Sequence, residues 1–102
     1  MSDNSLAGEL KSELNTIERT IRILDLVKDE EPIGIKKLSE KLETEDHKVR
    51  YSLRLLEKDN IIEPTSHGAS LTKDHAKAEG QLKSDLKEMK NTLNELIAVL
   101  SE

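Results

Sequence analysis

The chain has 102 residues, of which 36% are charged and 34% are hydrophobic, with one Tyr as its single aromatic residue. A chain of this length and composition forms one domain with a modest core, which must be built from Leu, Ile and Val. Because it has no cysteine, disulfides and thiolate metal sites are excluded, and no apolar run approaches the ~20 residues that span a membrane.

The net charge is −5, yet the charge is unevenly distributed. Residues 35–75 carry eight basic and eight acidic groups, and residues 46–60 carry four basic and three acidic groups. The middle of the chain is therefore compatible with a nucleic-acid partner. The N-terminus is polar and acidic and lacks a signal-peptide core, so we expect a cytoplasmic protein without membrane contact.

The first predicted element is a long helix from about Ser5 to Lys28, which ends at an acidic run followed by Pro32. Its apolar residues recur every three or four positions, which is typical of a single helical stripe. Ile23, Leu26 and Val27 widen the stripe, so this end of the helix is expected to enter the core. The stripe consists of Leu6, Leu10, Leu14, Ile17, Ile21 and Leu24.

Two shorter helices are predicted next. The first spans Ile35–Leu42 with Gly34 as its cap, and the second spans Asp46–Asn60 with Thr44 as its N-cap. The inward stripe of the second comprises Val49, Leu53 and Leu56.

A predicted hairpin follows these helices, and the chain then returns to a helical pattern. The hairpin pairs 61–63 with 70–72 around a Gly-containing turn, and Pro64 indicates a short or edge strand. The last helix is predicted over Lys73–Leu100. Its apolar residues follow a heptad spacing of 4, 3, 4, 3, 4 over less than three heptads, and Ile97 broadens this seam near its end.

The order of these elements resembles the winged helix-turn-helix transcription regulators over roughly residues 16–72. The resemblance is carried by IRILDLV, GIKKLSEKL, HKVRYSLRLLEKDNII and HGASLT. With the last helix added, the chain looks most like small archaeal DNA-binding regulators that dimerise through an antiparallel coiled coil. The implied fold is mainly α with a small β-hairpin. The implied organisation is a helical extension at 1–15, a winged helix DNA-binding domain at 16–74 and a dimerisation helix at 75–102.

The resemblance implies that the helix at 46–60 enters the major groove of double-stranded DNA. The residues of this helix outside its inward stripe are basic or aromatic and are expected to face outward, where they can contact bases or phosphates. The preceding helix and the hairpin are expected to add phosphate contacts. The alternative for the helix at 46–60 is an ordinary solvated helix face. The alternative for Lys36 and Lys37 is that they are surface lysines balanced by Glu40 and Glu43. The candidate DNA-binding residues are Lys36, Lys37, His47, Lys48, Arg50, Tyr51, Arg54, Lys58 and His67.

The heptad seam of the last helix predicts a homodimer. A single chain that folds its first and last helices against each other is the alternative, and parallel or antiparallel pairing stays open. The roles of Ser52, near the inward stripe, and Leu55, on the outward side, also stay open. The candidate dimerisation residues are Leu82, Leu86, Met89, Leu93, Leu96, Ile97 and Leu100.

Nothing in the sequence is typical of an enzyme, a cofactor site or an identifiable small-molecule ligand. The three histidines fall on different elements and lack metal-ligand spacing, and the four glycines are scattered. The main hypothesis is therefore a sequence-specific, homodimeric DNA-binding regulator. The rival is a winged-helix module for protein interaction or scaffolding, which the net charge of −5 suits better.

Overall fold

A computed structural model describes residues 5–102 and contains four helices and a two-stranded antiparallel hairpin in this range. The predicted fold class is confirmed: a winged helix-turn-helix is followed by one long C-terminal helix. The elements are α1 Leu6–Glu30, α2 Ile35–Leu42, α3 Asp46–Lys58, β1 Ile62–Thr65, β2 Gly68–Leu71 and α4 His75–Leu100. Residues 1–4 of the predicted N-terminal extension lie outside the described range.

The helix ends differ from the prediction by about two residues. The acidic run does not end α1, which continues to Glu30 before Pro32. In contrast, α3 ends at Lys58 rather than Asn60, although Asn60 takes the expected left-handed conformation with φ 59°. The prediction that Thr44 is the N-cap of α3 is wrong, because Glu45 occupies that position. The Thr44 hydroxyl donates instead to the Leu42 carbonyl at 3.2 Å.

The hairpin extends closer to its turn than predicted, and Pro64 lies within β1 rather than after it. Pro64 pairs with Ala69, whose N–H and C=O both bond to Ile33 on the opposite side, at 2.8 and 3.1 Å. This position of the ladder therefore needs no N–H from Pro64, so proline is tolerated there. The single bridge to Ile33 also fastens the hairpin to the segment between α1 and α2.

The core lies where α1, α2, α3 and the hairpin meet. The predicted inward stripe of α3 is buried, and Leu38 of α2 is fully enclosed. The face that α1 presents to this core is centred on Ile23 and Val27, whereas Leu6, Leu10 and Leu14 are 72%, 59% and 59% exposed. The buried apolar residues are Ile23, Leu24, Val27, Ile33, Leu38, Val49, Leu53, Leu56, Ile61, Ile62 and Ala69.

Gly68 is required by the close approach of the hairpin to the segment before α2. It has φ +128°, and a Cβ at this position would lie 2.5 Å from the carbonyl carbon of Ile33. Backbone strain of this kind costs about 1–3 kcal/mol in a residue with a side chain, and the clash adds to it. We therefore expect Gly68→Ala to lower the free energy of unfolding by at least about 2 kcal/mol, measured by chemical denaturation.

Gly80 provides the matched control for this substitution. It lies inside α4, and a Cβ there would meet no atom within 4 Å. Gly80→Ala should stabilise the protein by up to about 1 kcal/mol, because alanine favours helix. Equal unfolding midpoints for the two variants would contradict the proposed contact between Gly68 and Ile33.

The long helix α4 joins the rest of the molecule near its N-terminal end. Leu82 and Ala78 pack against the core, and Lys28 at the end of α1 forms an ion pair with Glu79 at 2.6 Å. The other Glu79 oxygen lies 2.6 Å from the Nδ1 atom of His75. None of the residues of α4 is fully buried, and its second half has no apolar cover within the described chain.

The Glu79 contacts predict a loss of stability in acid. Burial raises the pKa of the Glu79 carboxyl, but hydrogen bonds from Lys28 and His75 outweigh burial and hold this pKa below its ordinary value of 4.5. The contribution is therefore fully present above about pH 4.5 and is lost as the pH falls through the lower folded-state pKa. We expect Glu79→Gln to flatten this part of the stability-versus-pH curve, measured by denaturation between pH 6 and 3. A difference between variant and wild type that stays constant over this range would contradict the assignment.

Candidate nucleic-acid interface

Helix α3 has one buried face and one basic face. Val49, Ser52, Leu53 and Leu56 point into the molecule, which fixes the rotation of the helix about its axis. The six residues predicted to face outward are all exposed: His47, Lys48, Arg50, Tyr51, Arg54 and Lys58. The helix therefore presents a row of cationic and aromatic side chains to solvent.

Three cations of this row are available to a ligand. Among the described residues, Arg50, Arg54 and Lys58 form no ion pair, while Lys48 has a long contact of 3.6 Å with Glu45. Unpaired guanidinium and ammonium groups on one helical face can donate to guanine O6 and N7 or to phosphate oxygens.

The lysines of α2 are arranged differently. Lys36 pairs with Asp46 at 2.9 Å, and Lys37 pairs with Glu30 at 3.1 Å. Their ion-pair partners are thus acidic groups on neighbouring helices rather than Glu40 and Glu43.

These ion pairs have a structural role as well. The Lys36 ammonium holds the pKa of the Asp46 carboxyl below its ordinary value, and hydrogen bonds from Lys41 and Lys37 do the same for Glu30. The pairs link α2 to the start of α3 and to the end of α1. All of these groups are accessible to water, so the ion pairs can exchange for contacts with phosphate at little cost.

The tip of the hairpin is polar and carries no Lys or Arg. Ser66 and His67 form the turn, and the exposed His67 ring lies with its Nδ1 atom 2.9 Å from the Ser66 hydroxyl. The Thr65 hydroxyl is occupied within the turn, since it donates to Gly68 O at 2.6 Å and accepts from the His67 N–H at 3.1 Å. The His67 ring is thus accessible at the tip, beside the exposed Ser66.

Ser52, whose orientation the sequence left open, is fully buried on the side of α3 that faces α1. Its hydroxyl accepts from the Nε atom of Arg19 at 2.9 Å and from the Thr20 hydroxyl at 2.8 Å. These hydrogen bonds connect the middle of α1 to α3 and so help to set the position of the outward face.

The same contact places a basic cleft beside α3 that the sequence did not predict. Arg19, Arg22 and Lys48 line an open cleft of about 390 Å³, with Glu18 paired to Arg22 at 2.9 Å. The sequence did not predict this cleft because both arginines lie outside the apolar stripe of an acidic helix. The spacing of residues in α1 also gives no sign that Arg19 contacts Ser52 of α3. The basic surface therefore extends from α3 onto α1.

Other classes of site find no support in the part of the chain that the structure describes. No group of three or more His, Asp or Glu side chains is arranged to hold a metal ion in residues 5–102. None of the helices in that range combines the length and apolarity needed to cross a lipid bilayer.

Comparison with known proteins identifies a DNA-binding family. A comparison with curated proteins gave no match. The family model described as the CggR N-terminal DNA binding domain matches residues 16–89, which is well over half of the chain. This match supports the resemblance to DNA-binding regulators in its general form, without support for an archaeal subtype. The chain belongs to the CggR N-terminal DNA-binding domain family.

Proposed function

We propose that the protein is a sequence-specific, double-stranded DNA-binding transcription regulator that acts as a homodimer, with α3 in the major groove. The observation that carries the proposal is the outward face of α3, on which Arg50, Arg54 and Lys58 are exposed and unpaired among the described residues. A winged helix-turn-helix projects this second short helix from the body of the domain, which allows its side chains to reach base edges.

The residues of α3 divide into two expected roles. Arg50 and Arg54 lie near the centre of the outward face, where a guanidinium can bind guanine O6 and N7 with two hydrogen bonds. His47, Tyr51 and Lys58 flank them and are suited to bases or phosphates. The arginines are therefore the proposed determinants of sequence.

Phosphate contacts are proposed for the surrounding basic groups. Lys36 and Lys37 reach the interface from α2, the cleft formed by Arg19 and Lys48 reaches it from the α1 side, and His67 reaches it from the hairpin. Such contacts position a protein on the duplex and carry no sequence information. They also concentrate positive charge at one surface of a chain whose net charge is −5.

The homodimer is supported by apolar surface that one chain leaves uncovered. The N-terminal half of α1 and the C-terminal half of α4 do not cover each other, because Leu6, Leu10 and Leu14 of α1 and Leu93, Leu96 and Leu100 of α4 are all more than half exposed. The exposure of both stripes in the single chain therefore favours a second copy as their cover. Soluble monomers rarely expose apolar patches of this extent, and a two-fold pair would present two α3 helices to a two-fold-related DNA site.

Binding to genomic DNA fragments over a salt series tests the proposed function. Fluorescence anisotropy should show affinity that falls steeply with salt, because each phosphate contact releases counterions. Selection of bound fragments should converge on a sequence with two-fold symmetry. Undetectable binding even at low salt would reject the proposal in favour of a protein-interaction module.

A further inference from the structure

The apolar seam of α4 reads the same in both directions along the helix. Its members are Leu82, Leu86, Met89, Leu93, Leu96 and Leu100, whose spacings of 4, 3, 4, 3, 4 are symmetric about residue 91. Two such helices in antiparallel orientation match at every position, pairing Leu82 with Leu100, Leu86 with Leu96 and Met89 with Leu93 of a second copy. This register places an a position opposite a d position in every layer of the coiled coil.

The two ends of the seam differ in their surroundings. At the tip, Ile97 and Val99 lie on either side of the seam and are 60% and 64% exposed. A simple two-stranded coiled coil would leave these flanking residues in water, where charged residues are usual. The tip of α4, defined here as residues 96–100, is thus wider than one partner helix covers.

The inner end of the seam, around Leu82 and Leu86, lines two apolar grooves. One open groove, of about 340 Å³, lies between α1 and α4 and contains Leu24. The other, of about 310 Å³, lies between α1, α3 and α4 and contains Ile17 and Leu55. Ile21, Leu82 and Leu86 line both grooves.

We propose that the tip of α4 from one copy docks into the two grooves at the inner seam of the other, which fixes an antiparallel dimer in the register Leu82–Leu100. The proposal rests on the homodimer proposed above. Antiparallel pairing brings each wide apolar tip to the place where the second copy offers two apolar grooves. Parallel pairing would put the two tips together in water and leave both grooves empty.

This arrangement explains Leu55, which sequence reasoning left open. Leu55 lies on α3 and lines the second groove, so the docked tip covers it. The same groove includes Lys58, one of the cations of the outward face. The docked tip of one copy therefore lies beside the proposed DNA-contacting helix of the other.

Single-cysteine variants test the register, since the chain has no cysteine of its own. Leu82→Cys and Leu100→Cys are prepared separately, mixed after brief dissociation and oxidised. Antiparallel pairing should cross-link the mixture, in up to about half of the chains, whereas neither variant alone should cross-link, because like positions then lie roughly 27 Å apart along the helix. Leu86→Cys mixed with Leu96→Cys is the second pair, in case Leu82→Cys disturbs the core.

Each other outcome overturns the proposal. Cross-linking of Leu100→Cys with itself would show parallel pairing. Absence of any cross-link in a protein that sediments as a dimer would place the interface elsewhere, whereas a wild-type monomer would reject the homodimer itself. DNA binding by the same variants under reducing conditions is measured separately, so failure of the DNA proposal remains distinguishable from failure of the register.

Substitutions of the residues that flank the seam at the tip test whether the tip docks into the grooves. Ile97→Ser with Val99→Ser should weaken the dimer at least tenfold in sedimentation equilibrium, because both side chains enter the grooves. Ala98→Ser, on the opposite side of the same turn, is the matched control and should leave dimerisation unchanged. Equal dimerisation of both variants would reject groove docking while leaving the coiled coil intact.

Discussion

Replacing Arg50 and Arg54 together by alanine is expected to abolish sequence preference while leaving the fold unchanged. Each guanidinium that binds a guanine contributes about 1–3 kcal/mol of discrimination. The double variant should therefore lose at least about 2 kcal/mol per half-site, which is roughly thirtyfold in the dissociation constant. The measurement is anisotropy on a selected operator and on a scrambled duplex at one salt concentration.

The structure makes this variant a clean test. Both side chains are exposed and form no ion pair within the described residues, so their loss creates no buried cavity and leaves no buried charge unpaired. The unfolding midpoint should consequently stay within the range of a surface substitution. Operator binding that equals wild type would mean that another face of the molecule reads DNA.

Two control variants distinguish the loss of base recognition from the loss of positive charge. Lys11→Ala with Lys87→Ala removes the same charge from exposed positions of α1 and α4, outside α2, α3 and the hairpin, and should change binding little. Lys37→Ala removes a proposed phosphate contact and should weaken operator and scrambled duplex alike, with a salt slope about one unit shallower. A Lys37 variant that affects only the operator would contradict its assignment to phosphate.

The sequence predicted well what local spacing determines. Helix α2 has the predicted bounds, and the inward stripe of α3 is buried as expected, because a helical period of 3.6 residues places Val49, Leu53 and Leu56 on one face. The residues of α3 outside this stripe are then expected to face solvent. Their exposure agrees with the prediction, while their contact with DNA stays a prediction.

Features that depend on contacts distant along the chain were missed. The bridge between Ile33 and Ala69, which explains both Pro64 and Gly68, joins segments 36 residues apart and leaves no periodic signal. Arg19 reaches Ser52 across 33 residues in the same way. By contrast, the expectation that the end of α1 carrying Ile23 and Val27 enters the core is confirmed, because it rests on local spacing.

Replacing Leu93 and Leu96 together by lysine is expected to convert the dimer to a monomer. Burial of four leucines across the two copies, at about 1.5 kcal/mol each, contributes roughly 6 kcal/mol, or about four decades in the dissociation constant. The added lysines would also repel each other across the interface. Sedimentation equilibrium at micromolar concentration should change from a mass near twice the 11.5 kDa chain to that of one chain.

These positions are preferable to others of the seam because they serve no role in the single chain. Leu93 and Leu96 are 57% and 53% exposed, whereas Leu82 packs against the core and Leu86 is half-buried. Asn91→Lys with Asn94→Lys adds the same charge to the same helix outside the seam, and this control should remain dimeric. The monomer should still bind a single half-site with unchanged affinity but lose the gain that two linked half-sites provide. A wild-type protein that sediments as a monomer, or a seam variant that stays dimeric, would show that α4 does not hold two copies together.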